Sequence, residues 1–152
     1  MYAVFFYFLS FFALQHPQIF SNRVQSKKYK HIHIPGDRLK QYSDRLRELM
    51  LREKPYLNND CSLKQIAGKL NIPPYLLSHI INKEFSQSFP YYINAYRIQE
   101  ARVLLGSQDY RHIKISSIAY ECGFNSLSSF NIAFKKQMRL TPSEYRNRLM
   151  DL

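Results

Sequence analysis

Apolar positions recur at three- and four-residue spacing through most of the chain beyond residue 36. Leu39, Tyr42, Leu46, Leu49 and Met50 form one stripe, with Lys40, Arg45, Arg47, Glu48 and Arg52 between them. That is the pattern of an amphipathic helix. Asp37 is placed to cap its start and Pro55 to end it. "SLKQIAGKLN" predicts a short helix capped by Ser62, and Ile72-Pro73-Pro74 a turn. "YLLSHIINKEF" predicts the next helix, with Pro74 suited to its first turn. Pro90 opens a longer helix over about Tyr91 to Leu105, with Ile93, Ile98, Ala101, Leu104 and Leu105 inward. "IAYECGFNSLSSFNIAFKK" reads as helix, sharp turn and helix, and Thr141-Pro142 starts a last one. No useful stretch alternates with the period of a strand. The expected fold class is all-α, with about seven helices.

The helical pattern contains a repeat. Leu63, Ile66, Ala67, Leu70 and Ile72 pair with Ile115, Ile118, Ala119, Cys122 and Phe124, each 52 residues on. Leu77, Ile81, Lys83 and Phe85 pair with Phe130, Phe134, Lys136 and Met138, each 53 residues on. The second turn is therefore one residue longer. Each unit is a short helix, a tight turn and a second helix, so the chain carries a helix-turn-helix twice. In the later unit Phe130, Ala133, Phe134 and Gln137 share one side of the second helix, opposite Ser128, Asn131, Ile132 and Lys135. In the earlier unit Leu77, Ile80 and Ile81 face in, while Tyr75, Ser78, His79 and Asn82 face out. Small polar and amide side chains on a free helix face are those that bond base edges in a major groove.

Ahead of the helices the pattern changes. Residues 1–20 hold no Asp, Glu, Lys or Arg and eight aromatics. The clean apolar run from Met1 to Leu14 spans about 21 Å as a helix, short of the ~30 Å hydrocarbon layer. A secretory signal is not indicated, since a basic start and a small-residue cleavage site are both missing. The alternatives are the tail of a membrane helix and an interfacial or exposed apolar segment. Arg23, Lys27, Lys28 and Lys30 follow without an acid, which favours the membrane tail with its cytoplasmic side next in the chain. Residues 21–36 then read as a basic linker, and His31 and His33 within it as solvated rather than metal-binding.

The chain has 152 residues and a formal net charge of +11, which fits one domain with an appendage and an anionic partner, nucleic acid or anionic lipid. Its two cysteines, Cys61 and Cys122, stand in no metal-ligand spacing and support neither a disulfide framework nor a zinc site. There is no phosphate-binding glycine loop, nucleophile elbow or plausible carboxylate pair, so no catalytic residue, cofactor or metal is expected. No small-molecule site is visible.

The stretch from about Leu63 to Arg146 resembles the DNA-binding domain of AraC/XylS-type transcription regulators. The resemblance rests on "SLKQIAGKLNIPPYLLSHIINKEF", "YYINAYRIQEARVLL", "ISSIAYECGFNSLSSFNIAFKK" and "TPSEYR". It implies two helix-turn-helix units on a rigid connecting helix, with their second helices in successive major grooves of double-stranded DNA. RNA polymerase is the implied second partner. Carried over by position, the base-facing residues are Tyr75, Ser78, His79, Leu127, Ser128, Asn131 and Ile132. The phosphate contacts are Asn82, Lys83, Ser126, Lys135 and Lys136. The chain departs from the family pattern where Ser86 and Arg139 replace helix-ending glycines and where Ile132 replaces a frequent basic residue. Its N-terminus, with "QHPQIF", is similar to the subset of the family that hangs from a membrane domain. The alternative function is a membrane-surface or protein-interaction module whose basic helices read no sequence. The expected domains are 1–20, 21–36 and 37–152.

Overall fold

In a computed structural model, residues 35–150 are described, the side chain of residue 150 excepted. They belong to a unit, Pro35–Leu152, that inter-residue contacts separate from Met1–Ile34. The expected membrane tail and most of the basic linker lie outside the described residues. Among those described, no helix is long and apolar enough to cross a membrane.

Seven α-helices and two short 3-10 turns make up the unit, with no strand among the described residues: α1 (Gly36–Glu53), a 3-10 turn (Pro55–Leu57), α2 (Leu63–Lys69), α3 (Pro74–Phe85), α4 (Phe89–Gly106), a 3-10 turn (Gln108–Tyr110), α5 (Ile115–Glu121), α6 (Leu127–Met138) and α7 (Pro142–Met150). The all-α expectation holds. α1 begins one residue before Asp37, and no side chain caps it; Pro35 takes the capping position in an extended conformation. The Pro35 carbonyl accepts from the N–H groups of Arg38 and Leu39. Asp37 instead lies in the first turn, where its charge suits the helix dipole. α1 stops at Glu53 because Pro55 cannot donate to a continuing ladder. α4 starts two residues earlier than expected, with Pro90 inside its first turn, where its missing N–H goes unnoticed.

Ser62 caps α2 as expected. Its hydroxyl accepts from the Gln65 N–H, and the Gln65 side chain accepts from the Ser62 N–H at 2.9 Å, a reciprocal capping box. Thr141 and Glu144 repeat the arrangement at α7, with the Thr141 N–H 2.7 Å from Glu144 Oε2. These bonds hold the Glu144 carboxyl below its ordinary pKa.

α1, α2 and α3 pack together and bury Leu46, Met50, Ile66, Ala67, Leu77, Ile80 and Ile81. The later core joins Ile98, Ala101 and Leu105 of α4 to Ile118, Ala119, Cys122, Phe124, Phe130, Ala133 and Phe134. Its aromatic rings meet edge-on or tilted, Phe124 to Phe130 at 5.2 Å, Phe130 to Phe134 at 5.5 Å and Phe134 to Tyr145 at 5.5 Å. Such pairs add to area burial. α4 is the common spine, touching α3 on one side and α5, α6 and α7 on the other. Tyr145 also lies 3.4 Å from Arg102 Nε, so α7 is tied to the spine. Arg146 beside it is half-buried, and its Nε and Nη2 have no hydrogen-bond partner among the described residues.

Candidate nucleic-acid interface

The two repeated units are built alike. α2 and α5 have seven residues each, and α3 and α6 have twelve. Both turns close with the same pair of hydrogen bonds. Asn71 N–H donates to Gly68 O and Ile72 N–H to Ala67 O, both at 3.0 Å. Gly123 N–H donates to Tyr120 O at 2.9 Å and Phe124 N–H to Ala119 O at 3.0 Å. In each turn the first of these residues is left-handed, Asn71 at φ 56° and Gly123 at φ 84°. This is a Schellman closure, which uses the last carbonyls of one helix and sends the chain off at a steep angle. Asn125 is the additional residue of the second turn. α3 then starts from Pro73, and α6 from Ser126, whose hydroxyl accepts from the Ser129 N–H at 3.1 Å. Both second helices end on a left-handed residue, Ser86 at φ 54° and Arg139 at φ 60°. The departures from glycine therefore sit where a glycine would be unstrained.

The inward faces fall where the sequence puts them, and the outward face of α6 does too, whereas that of α3 is only partly open. Leu77, Ile80 and Ile81 are buried on α3, as are Phe130, Ala133 and Phe134 on α6. On the opposite side of α6, Ser128, Asn131, Ile132 and Lys135 are exposed, Ile132 to 68%. Leu127, at 37% exposure, stands at the edge of that face. On α3, Tyr75 and Asn82 are exposed and Ser78 and His79 half-buried. The Asn82 side chain donates to the Ser78 carbonyl at 2.9 Å, which turns part of its amide back onto the helix. Lys83, Lys135 and Lys136 are exposed at the helix ends, where cations also suit the dipole. Lys136 Nζ lies 5.0 Å over the Tyr91 ring at the start of α4. An open groove of about 390 Å³ runs between Asn131, Ile132 and Lys135 of α6 and Thr141, Pro142 and Ser143 of α7. From Cys122 to Ser143 the chain has no acidic residue.

Besides packing on α4, the two units are linked by a joint built on backbone carbonyls of the Pro55–Leu57 turn. Arg97 of α4 is buried at this joint. Its Nε donates to Tyr56 O at 2.7 Å and its Nη2 to Asn58 O at 3.0 Å, and its guanidinium stacks 5.5 Å over Phe124. Burial pulls its pKa below the ordinary value, and the two carbonyls compensate the buried charge. Gly123 comes to the same place from the other side. A Cβ on it would stand 2.5 Å from Tyr56 O and 2.8 Å from Leu57 O. The turn before the first unit, the spine and the turn of the second unit thus meet at Tyr56. Burial, with Glu100 nearby, pushes the Tyr56 hydroxyl up to about 12. Glu100 also pairs with Lys54 at 3.0 Å. No signal in the sequence assigned Tyr56 to this joint.

Among the described residues no group of His, Cys, Asp and Glu is arranged to hold a metal. Both cysteines are free thiols, Cys122 buried and Cys61 half-buried.

The profile of the family described as "Helix-turn-helix domain" matches residues 66–148. The uncharacterized HTH-type transcriptional regulator YijO of Escherichia coli K12 is 34% identical over 83 residues, 55% of this chain and 28% of that protein. The regulatory protein PocR of Salmonella typhimurium is 31% identical over 94 residues, 62% of this chain and 30% of that protein. The chain thus spans less than a third of the length of these relatives. Among solved structures, the C-terminal domain of AraT, a response regulator from Geobacillus stearothermophilus, is similar with a TM-score of 0.63. That likeness has 32% identity and covers 73% of this chain and 88% of that one. With more than half of its length matched, the chain belongs to the AraC-type helix-turn-helix domain family.

Proposed function

We propose that this chain is the DNA-reading part of a transcription regulator, with α3 and α6 entering successive major grooves on one face of double-stranded DNA. The observation that carries the reading is the duplication itself. Two units with the same turn geometry and the same inward stripe pack on one spine, and neither lipid binding nor a scaffold role needs that repetition. Grooves on one face recur about every 34 Å, so a rigid joint between the units suits a fixed spacing. The relatives' names, HTH-type transcriptional regulator and regulatory protein, support the same class.

In this reading Tyr75, Ser78, His79, Leu127, Ser128, Asn131 and Ile132 meet base edges. Asn82, Lys83, Ser126, Lys135 and Lys136 meet phosphates and set register. RNA polymerase is the natural second partner of such a regulator. The charge pattern of residues 1–30 supports a further element, attachment of the domain to the inner face of the cell membrane through the apolar segment. Selection of a binding site from random duplexes, with anionic vesicles as competitor, tests the reading. Neutralising five to eight phosphates gives a log–log salt slope of about −4.5 to −7. Binding that vesicles abolish and that prefers no sequence refutes it in favour of a membrane-surface module.

A further inference from the structure

We infer that the second unit reads A·T base pairs, with Ile132 against a thymine methyl and Asn131 on an adenine. The inference rests on the DNA reading above and names the chemistry that α6 selects.

At about 100° per residue, two stripes run along the free face of α6. One holds Leu127 and Asn131, and the other Ser128, Ile132 and Lys135. A single exposed isoleucine is ordinary on a protein surface, so exposure alone decides nothing. Its surroundings do. Ile132 is 68% exposed at the middle of a face without an acid, with Lys135 one turn on and Lys136 and Arg139 beyond. That field favours a polyanion. An isolated branched side chain between Ser128 and Lys135 is too small an apolar surface to hold a bilayer. In a major groove, the thymine C5-methyl is the one apolar group that the four standard bases display. Guanine there asks for Arg or Lys, and the one such side chain on this face, Lys135, stands in the last turn of the helix, where the reading above gives it to a phosphate. The neighbouring Asn131 is exposed and carries an amide, whose donor and acceptor match adenine N6 and N7. Both side chains therefore fit A·T pairs.

The equivalent positions of α3 differ. Ser78 stands where Asn131 does, and His79 where Ile132 does, 53 residues earlier. His79 is half-buried, whereas Ile132 is open. The two halves of the site are accordingly unlike in sequence, and the demand for thymine methyls is confined to one of them.

The test uses the full chain and its selected duplex. Each thymine is replaced in turn by deoxyuridine, which lacks only the methyl. Each adenine is replaced in turn by 7-deazaadenine, which lacks N7. Losing one buried methyl weakens binding about fourfold. The expected result is a uracil effect of that size at one or two positions, all in one half of the site. The effect disappears in Ile132→Ala and persists in Ile132→Val, which keeps branched methyls. The 7-deazaadenine effect in the same half disappears in Asn131→Ala. Thermal melts without DNA should leave all three variants near the parent, since these side chains point outward. Uracil substitution that leaves the parent's affinity unchanged overturns the inference while the DNA reading stands. So does a uracil effect that Ile132→Ala retains in full. A pool that yields no preferred sequence overturns the DNA reading and this inference with it.

Discussion

Replacing Gly123 by alanine should loosen the joint between the two units, and the structure gives the size of the effect. Two costs add. At φ 84° an L-residue is strained, by about 1–2 kcal/mol. The new Cβ would also stand 2.5 Å from Tyr56 O and 2.8 Å from Leu57 O. These are backbone atoms, so relief requires the Pro55–Leu57 turn to move. Tyr56 O is the acceptor of Arg97 Nε at 2.7 Å, and disturbing a hydrogen bond from a buried charge costs about 1–3 kcal/mol. The sum is about 2–5 kcal/mol. At roughly 4 °C per kcal/mol for a domain of this size, melting falls by about 8–20 °C. Asn71→Ala is the internal control. Asn71 occupies the same turn position at φ 56° and already carries a Cβ, so that change should cost under about 1 kcal/mol. Thermal melts followed by helical circular dichroism compare the two. Equal losses would mean that the close approach to Tyr56 contributes nothing, and the account of the joint would be wrong.

Three further outcomes follow from particular residues. Arg139→Gly should raise stability by up to roughly 1 kcal/mol, because residue 139 sits at φ 60°; a lower melting temperature would show that the arginine side chain makes a needed contact. Stability should fall as pH rises from about 10 to about 12, because the unfolded Tyr56 loses its proton near the ordinary tyrosine value while the folded one holds it to about 12. The full contribution is present below pH 10, and Tyr56→Phe should flatten the decline in denaturant titrations; an unchanged slope refutes the assignment. Removal of residues 1–20 should leave a chain that folds and still binds DNA, which a melt and a gel-shift together check; failure to fold would mean that the apolar segment packs into the core.

Both helix-turn-helix units were legible in the sequence because their inward positions are apolar at matching intervals, and 3.6-residue periodicity converts that directly into a buried face. Phe130 and Phe134 are fully buried and Ile132 is open, as the spacing alone requires. Local chemistry was legible too, in the Ser62 cap and in the turn at Gly123. Contacts between distant residues were not. The acceptors of Arg97 are backbone carbonyls 41 and 39 residues away, and a carbonyl leaves no mark in a sequence. Gly123 was read as a turn residue, while its second role, room for the carbonyls of Tyr56 and Leu57, depends on tertiary approach. Lys136 was expected at a phosphate, and its place over Tyr91 likewise joins two elements that periodicity treats separately. The start of α1 moved from Asp37 to Gly36 because Pro35 and Asp37 offer competing signals within one turn.

The central claim is that two recognition helices read one DNA face at a fixed spacing. Hydroxyl-radical and methylation-interference footprints on the selected site, repeated after inserting base pairs between its halves, test it most directly. The account predicts two major-groove contact windows centred about one helical turn apart, roughly 34 Å. Inserting a half turn should abolish high-affinity binding, because the joint at Arg97, Tyr56 and Gly123 holds the units rigidly. A single contact window, or two windows that tolerate the half-turn insertion, would contradict it.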